Sequence, residues 1–546
     1  MKPFEPLVTR GATAATAVRV ALRSGVVRPH SPRALARLLG VLRQWGTGAA
    51  GGFTTLAVRY PDRVGLIDEA GSLTWGEVHR RSNALARALS ARGVGEGDGV
   101  AVMCRNHRGF VEALIAAGKI GADVLLLNTA FAGPQLAEVI EREQPRIVLH
   151  DAEFTGLLAD APITDRVLSW VDEPDAGMAA GVDTAEQLIA GYSGDDVPVP
   201  ARHGRIIILT SGTTGTPKGA PRNEAGFDSA IALLSRMPIR AGWRTHIAAP
   251  MFHTWGLAHL LLSMLLGTTL VLRRRFDPEA ALAVLDQERC EVFVVIPIML
   301  QRILELPAEV RGRYDLSALR VTASSGSALP GDLALAWMDA CGDNLFNIYG
   351  STEVAYASVA TPEDLRAEPT SAGRPPWGTV VQVLDPLGAP VPDGLSGRIF
   401  VRNSFLFEGY TGGGGKEVVG GLMATGDVGR FGTDGRLYVE GRDDEMIVSG
   451  GENVFPKEVE DCLARHPVVV EAAAIGVDDA EFGARLRAFV VTSEQVEVTE
   501  LQNWVRANLA RFKVPREIVV MPELPRNATG KVLKRELRAW SPEATA

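Results

Sequence analysis

A glycine- and hydroxyl-rich segment that follows a short apolar strand is the feature that most constrains this chain. The apolar residues Ile206–Leu209 lead directly into Thr-Ser-Gly-Thr-Thr-Gly-Thr-Pro-Lys-Gly at positions 210–219. Glycines let backbone amides approach an anion closely, hydroxyl groups add hydrogen-bond donors, and the lysine adds positive charge. Lys218 is followed by Gly219 and not by Ser or Thr, which departs from the pattern of P-loop proteins. The segment therefore predicts a polyphosphate-binding loop of a different type.

Short apolar runs alternate with helical patterns on both sides of this loop. The runs have the length and composition of buried parallel strands, and they lie at 99–104, 122–127, 206–209, 269–272 and 292–296. This alternation predicts an α/β fold with mainly parallel sheets. Near residue 440 the sequence becomes charged and rich in glycine, and a shorter α+β pattern follows.

The chain has 546 residues, too many for one ordinary core. We expect a basic N-terminal arm at 1–52, a large domain at 53–441, and a small, mobile α+β domain at 442–546. Hydrophobic residues make up 46% and charged residues 22%, which is typical of a globular protein. The net charge of −9 argues against a general nucleic-acid-binding surface. Four scattered cysteines fit a reducing compartment, so we expect a cytoplasmic protein.

The N-terminal arm carries positive charge that the rest of the chain lacks. Residues 1–50 hold eight basic side chains and one acidic one. Apolar side chains recur there at helical spacing, namely Leu35, Leu38, Leu39, Leu42 and Trp45. This pattern indicates either a helix on an anionic membrane surface or a helix packed on the body of the protein. The glycine-rich residues 46–52 predict a flexible joint after it.

Six motifs, in order along residues 55–540, resemble those of the adenylate-forming enzymes, which include the acyl-CoA synthetases. The motifs lie at 210–219, 251–253 (Met-Phe-His), 347–353 (Asn-Ile-Tyr-Gly-Ser-Thr-Glu), 424–427 (Ala-Thr-Gly-Asp), 441–447 (Gly-Arg-Asp-Asp-Glu-Met-Ile) and 525–531 (Pro-Arg-Asn-Ala-Thr-Gly-Lys). The resemblance implies that a carboxylate attacks the α-phosphate of Mg-ATP to give an acyl-adenylate and pyrophosphate. A thiol, by default that of CoA, then displaces AMP.

The resemblance also implies a role for each matching residue. Lys531 bridges the carboxylate and the α-phosphate, Glu353 binds Mg²⁺, and Asp427 accepts the ribose hydroxyls. Thr352 donates to phosphate and Arg442 binds near the ribose and phosphate. The nucleotide site as a whole is expected to contain Thr210, Ser211, Gly212, Thr213, Thr214, Gly215, Lys218, Gly326, Ser327, Ala328, Asn347, Tyr349, Gly350, Ser351, Thr352, Asp427 and Arg442, with Tyr349 stacked on adenine.

The acid site is expected around the histidine motif. Its candidates are His253, Trp255, Gly256, Ser324 and Gly326, with Gly256 leaving room for a chain and Trp255 gating it. Few charges occur among them, and residues 254–258 lack the aspartate that holds the amine in amino-acid-activating relatives. We therefore expect a hydrophobic acid, with a medium- or long-chain fatty acid favoured over an aromatic or polycyclic one.

The small domain is expected to serve the second step. Asp444 matches the family's hinge, and Gly450 and Gly451 match the channel for the pantetheine arm of CoA. An enzyme that loads a carrier protein remains an alternative, as do a catalytically silent ligand-binding protein and a phosphotransferase. Peripheral membrane contact through residues 1–50 and a homodimer are also left open.

Overall fold

The computed structural model confirms a mixed α/β fold with a large domain of mainly parallel sheets and a smaller C-terminal domain. It describes residues 7–27, 32–172, 181–209, 218–222, 227–407, 409–411, 413–449, 452–479, 483–527 and 530–540. Within these ranges, no helix is both long enough and apolar enough to cross a bilayer.

The strands and helices alternate as the sequence predicts. The strands are β1 Val64–Asp68, β2 Gly71–Thr74, β3 Gly99–Met103, β4 Asp123–Leu126, β5 Ile147–Asp151, β6 Arg166–Trp170, β7 Ile206–Leu209, β8 Gly219–Arg222, β9 Arg244–Ile247, β10 Thr269–Leu272, β11 Val292–Val295, β12 Val321–Ser324, β13 Leu345–Tyr349, β14 Ser358–Ala360, β15 Val380–Leu384, β16 Gly397–Arg402, β17 Val418–Val419, β18 Leu422–Phe431, β19 Leu437–Arg442, β20 Ile447–Ser449, β21 Glu452–Val454, β22 Val469–Asp479, β23 Gly483–Thr492 and β24 Glu517–Val520. The helices are α1 Leu7–Ser24, α2 Pro32–Trp45, α3 Ala49–Arg59, α4 Trp75–Ala91, α5 Arg108–Lys119, α6 Gly133–Glu143, α7 Ala185–Gly191, α8 Phe227–Arg236, α9 Thr254–Leu266, α10 Pro278–Gln287, α11 Pro297–Glu305, α12 Ala308–Arg311, α13 Gly331–Cys341, α14 Pro362–Ala367, α15 Pro456–Ala464, α16 Val498–Asn508 and α17 Lys534–Ala539.

Two sheets that are parallel except at their edges form the core of the large domain. One has the strand order β14-β13-β12-β11-β9-β10-β1-β2, and the other has the order β6-β5-β3-β4-β7-β8. Only the edge pairs β1–β2, β13–β14 and β7–β8 are antiparallel within these two sheets. Their central strands are buried on both faces, which explains why they read as continuous apolar runs. The carboxyl ends of β9, β11, β12 and β13 therefore meet at one edge, where ligands bind in folds of this kind.

A third sheet and the small domain follow along the chain. Strands β15 to β19 form an antiparallel sheet, and strands β20 to β24 form the sheet of the small domain. Between the two sheets lies a single 3-10 turn, Asp443–Glu445. The domain boundary at 441/442 and the hinge at Asp444 stay predictions, and this turn is the segment to which they refer.

The N-terminal helices pack on the large domain. Trp45, Ala49, Ala50 and Phe53 are buried in the same apolar core as the parallel sheets. The flexible joint predicted at 46–52 is therefore wrong, because helix α3 begins inside it. Glycine serves close packing there: a Cβ on Gly52 would lie 2.0 Å from the Met264 sulfur.

Candidate active site

A cavity of about 1380 Å³ lies where the parallel strands end, and the small domain contributes to its wall. Residues after β12 (Ser325 to Ala328) and after β13 (Gly350 to Glu353) line one side. Asp427 and Arg442 line it from the third sheet, and Lys531 lines it from the small domain. Lys218 and His253 line it as well, so the cavity brings together residues from all six motifs that the sequence singled out.

Tyr349 and Asp427 form a hydrogen-bonded polar pair in this site. The Tyr349 hydroxyl donates a 2.5 Å hydrogen bond to the Asp427 carboxylate, whose side chain is 14% exposed. Burial, together with the charge of Asp427, raises the pKa of Tyr349 well above its usual range, so the phenol stays a donor. Burial also raises the pKa of Asp427, and the Tyr349 hydrogen bond and the charge of Arg442 oppose that rise.

Arg442 is held beside this pair by the turn that follows β19. Its Nε and Nη2 donate to the two carboxylate oxygens of Asp444, at 3.0 and 3.1 Å. Its Nε also lies 3.9 Å from Asp427 Oδ1. The hydrogen bonds to Asp444 raise the pKa of Arg442 and lower that of Asp444. The residue predicted as the hinge is therefore bonded to a residue predicted to bind the nucleotide.

Glu353 is positioned by two hydroxyl groups. Tyr410 donates to Glu353 Oε1 at 2.9 Å, and the Ser351 hydroxyl donates to Oε2 at 2.9 Å. The Lys218 ammonium lies 5.2 Å from the centre of the Tyr410 ring, which places the end of the predicted phosphate loop next to Glu353. Carboxylate oxygen is a hard ligand, and each of these oxygens retains a further lone pair, so the position fits Mg²⁺.

Lys531 enters the cavity from a loop that rests on the large domain. A Cβ on Gly530 would lie 2.7 Å from Ile298 Cγ2, so the loop backbone touches helix α11 directly. The Lys531 amide donates to the Asn527 side chain at 2.9 Å. The Lys531 side chain faces the open cavity and keeps accessible surface there. The surrounding protein and the nearby Arg442 charge nevertheless lower its pKa.

The acid side of the cavity follows helix α9. The imidazole of His253 lines the cavity just before the helix begins, and burial lowers its pKa to about 4. Trp255 also lines the cavity, and its indole donates to the Val295 carbonyl at 2.9 Å. His259 meets the Trp255 ring edge-on, with ring centroids 4.2 Å apart, and burial lowers its pKa to about 4. Both histidines are therefore neutral near pH 7, which suits an apolar ligand.

Two residues predicted for the acid site do not line the cavity. Gly256 faces the backbone, because a Cβ there would lie 2.3 Å from the Pro250 carbonyl oxygen. Its small size thus lets helix α9 pack against the preceding loop and leaves no room for a substrate. Ser324 is fully buried in β12, and the cavity wall begins one residue later, at Ser325. Strand alternation explains the shift, since neighbouring side chains point to opposite faces.

Asn106 is a positioning residue that the motifs did not reveal. Its buried amide donates to the carbonyls of Ile247 and Ala249 at 3.0 and 2.9 Å, and it accepts from the Met251 amide at 2.9 Å. The loop that leads to His253 is thereby fixed to the segment after β3. Tyr410, which holds Glu353, was also missed. Neither residue belongs to a recognisable motif, because the residues that each one contacts are distant along the chain.

Some predicted residues lie outside the described ranges. They are Thr210, Ser211, Gly212, Thr213, Thr214, Gly215, Gly450 and Gly451. Among the remaining nucleotide-site candidates, Asn347 has a buried side-chain oxygen with no hydrogen-bond partner in the described part of the chain, and Asn347 lines the cavity. An amino group such as that of adenine would satisfy this oxygen.

Comparison with known proteins agrees with this arrangement. Residues 53–411 match the AMP-binding enzyme family, and residues 458–531 match the AMP-binding enzyme C-terminal domain. A feruloyl-CoA synthase from an Amycolatopsis species is 34% identical over 476 residues, covering 86% of this chain and 94% of that protein. The indoleacetate–CoA ligase of Aromatoleum aromaticum is 31% identical over 497 residues, covering 88% and 94%. The crystal structure of the anthranilate CoA ligase AuaEII with anthranoyl-AMP has a TM-score of 0.80 at 25% identity, covering 90% of this chain and 96% of that one.

The fold, the small domain and the shared cavity define the class of adenylate-forming enzymes. This chain belongs to the AMP-binding enzyme family of that class. Within the family it is an acyl-CoA synthetase.

Proposed function

We propose that the enzyme activates a hydrophobic carboxylic acid as its acyl-adenylate and transfers the acyl group to CoA. The observation that carries this proposal is the apolar lining of the cavity along helix α9. Ala258, Leu261, Leu262 and Leu265 line it there, and it opens at its other end on Asp427, Arg442 and Lys531. An apolar acid would thus place its carboxylate beside the positive charges that favour attack on ATP.

In the first step the carboxylate oxygen attacks the α-phosphorus, and the bond to the pyrophosphate oxygen breaks. Lys531 would stabilise the negative charge that develops on the α-phosphate, because its ammonium reaches the cavity from the docked small domain. Asp427, oriented by the Tyr349 hydroxyl, would accept the ribose hydroxyls. Thr352 would donate to phosphate, and Lys218 would neutralise phosphate charge at the end of its loop.

Mg²⁺ is proposed as the metal that accompanies ATP. Glu353 would hold it through a carboxylate that Tyr410 and Ser351 fix in place. When bound, the ion would neutralise phosphate charge.

In the second step the CoA thiol attacks the acyl carbonyl carbon and AMP leaves. We propose that the small domain turns about Asp444 between the two steps. The ion pair between Arg442 and Asp444 supports this, because the Asp444 side chain is 52% exposed. An ion pair exposed to water can break at low cost in free energy. Gly450 and Gly451 would then border the channel for the pantetheine arm.

The length of the apolar lining favours a medium- or long-chain fatty acid. An aromatic acid is the second candidate, and the relatives support it, since their names specify ferulate, indoleacetate and anthranilate. Loading of a carrier protein remains the alternative for the acceptor.

Peripheral membrane contact is proposed for the N-terminal helices. Val18 and Leu22 on α1 and Leu39 on α2 are each more than half exposed, and the exposed Arg37 and Arg43 accompany them. Co-sedimentation with anionic and with neutral vesicles tests this proposal. Binding that requires the anionic lipid is expected, and no binding to either vesicle would contradict it.

The decisive experiment for the reaction is pyrophosphate release with Mg-ATP across acetate, octanoate, palmitate, benzoate, ferulate and several amino acids, each with and without CoA. CoA-dependent AMP formation with fatty acids is expected. A preference for benzoate or ferulate would select the second candidate. Exchange that ignores CoA would contradict CoA as the acceptor.

A further inference from the structure

We propose that helices α2 and α3 form the far wall of the acid-binding cavity and limit the length of the acid's apolar body. This inference rests on the proposed function and deepens it. The match to the AMP-binding enzyme family begins at residue 53. Helix α2 and the first residues of α3 therefore lie outside the matched range, whereas Thr55 lies inside it.

Helix α9 provides a scale for the cavity. Thr254, at its first turn, lines the cavity close to His253, and Leu265, in its last turn, lines it as well. The two residues are eleven positions apart, which corresponds to about 16 Å along the helix axis. The cavity therefore continues far beyond the carboxylate end.

The N-terminal segment borders the far end. Leu38, Leu39 and Leu42 of α2 line the cavity, and Gly52 and Thr55 of α3 line it beside them. Gly52 packs on Met264 of helix α9, which fixes α3 against the distal half of that helix. Apart from Thr55 the wall is thus apolar, and it touches the part of α9 that is most distant from His253.

The wall is held in place by the core of the large domain. Trp45 is 8% exposed and Phe53 is 3% exposed, one on each side of the α2–α3 connection. The Ala241 amide donates to the Ser24 carbonyl at 2.7 Å, which ties the end of α1 to the segment after α8. We therefore expect the wall to keep its position when a substrate binds.

Arg59 marks the outer limit of the apolar path. It lines the cavity at the end of α3, and its Nη2 donates to the Tyr60 hydroxyl at 3.1 Å. Its buried Nε has no hydrogen-bond partner within the described ranges, where no carboxylate pairs with this guanidinium. An alkyl chain that reached Arg59 would displace water from it without compensation. The preferred apolar body therefore ends before Arg59.

Thr55→Trp tests the wall by filling the far end of the cavity. We would measure kcat/KM for CoA-dependent AMP formation with straight-chain acids from hexanoic to hexadecanoic acid. The longest acids are expected to lose about tenfold or more, while hexanoic acid changes by less than about twofold. Leu22→Trp is the matched control, because Leu22 is 61% exposed on α1 and does not line the cavity. An equal loss for every acid, or no loss for any, would overturn the proposal.

Arg59→Leu tests the same limit from the opposite direction. Removing the charge is expected to shift the optimum toward longer acids. The proposal would be overturned if Arg59→Leu left the optimal chain length unchanged and Thr55→Trp left the dependence of kcat/KM on chain length unchanged.

A binding measurement separates this inference from the proposed reaction. Acyl-sulfamoyl adenosines of graded acyl length do not react and need no CoA. If Thr55→Trp weakens only the long analogues while CoA turnover is absent, the wall stands and the proposed reaction fails. If turnover is present and the length dependence is unchanged, the reaction stands and the wall fails.

Discussion

The Tyr349 hydroxyl donates a 2.5 Å hydrogen bond to Asp427, and Arg442 lies 3.9 Å from the other oxygen of the same carboxylate. The residue expected to stack on adenine thus also orients the residue expected to hold the ribose. On the proposed roles of Tyr349 and Asp427, one side chain would couple recognition of both halves of the nucleoside.

Tyr349→Phe is expected to weaken ATP binding and leave the acid site intact. The ring remains, but the carboxylate loses a hydrogen bond worth about 1.5–3 kcal/mol for a charged partner, so the KM for ATP should rise roughly tenfold to a hundredfold. Pyrophosphate exchange at varied ATP and acid measures this change. Tyr438→Phe is the control, because Tyr438 stacks under Arg430 and does not line the cavity. A rise in the KM for the acid alone would contradict the assignment.

Lys531→Ala is expected to lower the rate of adenylate formation about a hundredfold or more, because it removes the positive charge proposed to lie at the α-phosphate. Thioester formation from supplied acyl-adenylate should remain. Arg535→Ala, on the exposed part of the same segment, should change neither step. Equal loss of both half-reactions in Lys531→Ala would refute the proposed role.

Gly451→Trp is expected to impair the second half-reaction and to spare the first, the opposite of Lys531→Ala. A bulky side chain in the proposed channel should block thioester formation and spare pyrophosphate exchange. Unchanged CoA turnover would show that the pantetheine arm takes another path.

The pH dependence of the first step should report on Lys531. Its pKa is lowered from the ordinary 10.5 by the surrounding protein and by Arg442, and only the charged form stabilises phosphate. The kcat/KM for adenylate formation should therefore fall as pH rises through that lowered pKa. Lys531→Arg should move this alkaline fall to higher pH. A fall that stays at the same pH in Lys531→Arg would assign it to another group.

Gly256→Ala is expected to destabilise the fold by about 1–3 kcal/mol, because the added methyl group would meet the Pro250 carbonyl oxygen at 2.3 Å. Gly40→Ala on α2 is the control. No atom lies within 4 Å of its Cβ position, so a gain of a few tenths of a kcal/mol is expected. Urea unfolding of both variants measures the difference. A change in acid preference without a loss of stability would contradict this packing role and support the original assignment of Gly256 to the acid site.

Buried histidines should make the protein less stable in mild acid. Burial lowers the pKa of His246 and His259 from 6.5 to about 4. As pH falls from about 6.5 to 4, the unfolded chain binds protons first, so each histidine removes up to about 3 kcal/mol of stability that is present at pH 7. Unfolding free energies across this range should show the loss, and His259→Leu should reduce it. An unchanged slope in His259→Leu would contradict the assignment.

The sequence predicted the parallel strands well because each is buried on both faces. Val292–Val295 and Thr269–Leu272, for example, are fully apolar or β-branched and are covered by helices. The reaction class followed from the resemblance of six ordered motifs to those of the adenylate-forming enzymes. Asp427 and Lys531 meet in one cavity although more than a hundred residues separate them.

Features set by tertiary packing were not predictable in the same way. A glycine that admits a substrate and one that admits a carbonyl look alike in sequence, which explains the error at Gly256. The glycine-rich residues 46–52 suggested a joint, yet the close approach of Met264 requires a glycine at position 52. The contribution of α2 to the cavity depends on how that helix packs on the large domain. Its apolar periodicity fits equally a helix on a membrane surface and a helix packed on the protein.

Gly530 has a consequence for the timing of the reaction. Its backbone, at φ 75°, rests on the methyl groups of Ile296 and Ile298, with no side chain in between. The thickness of that contact sets how far the Lys531 side chain extends into the cavity. On the proposed role of Lys531, Gly530 would act as a spacer of minimum width, and we expect a larger residue there to slow the first half-reaction and to leave the second unchanged.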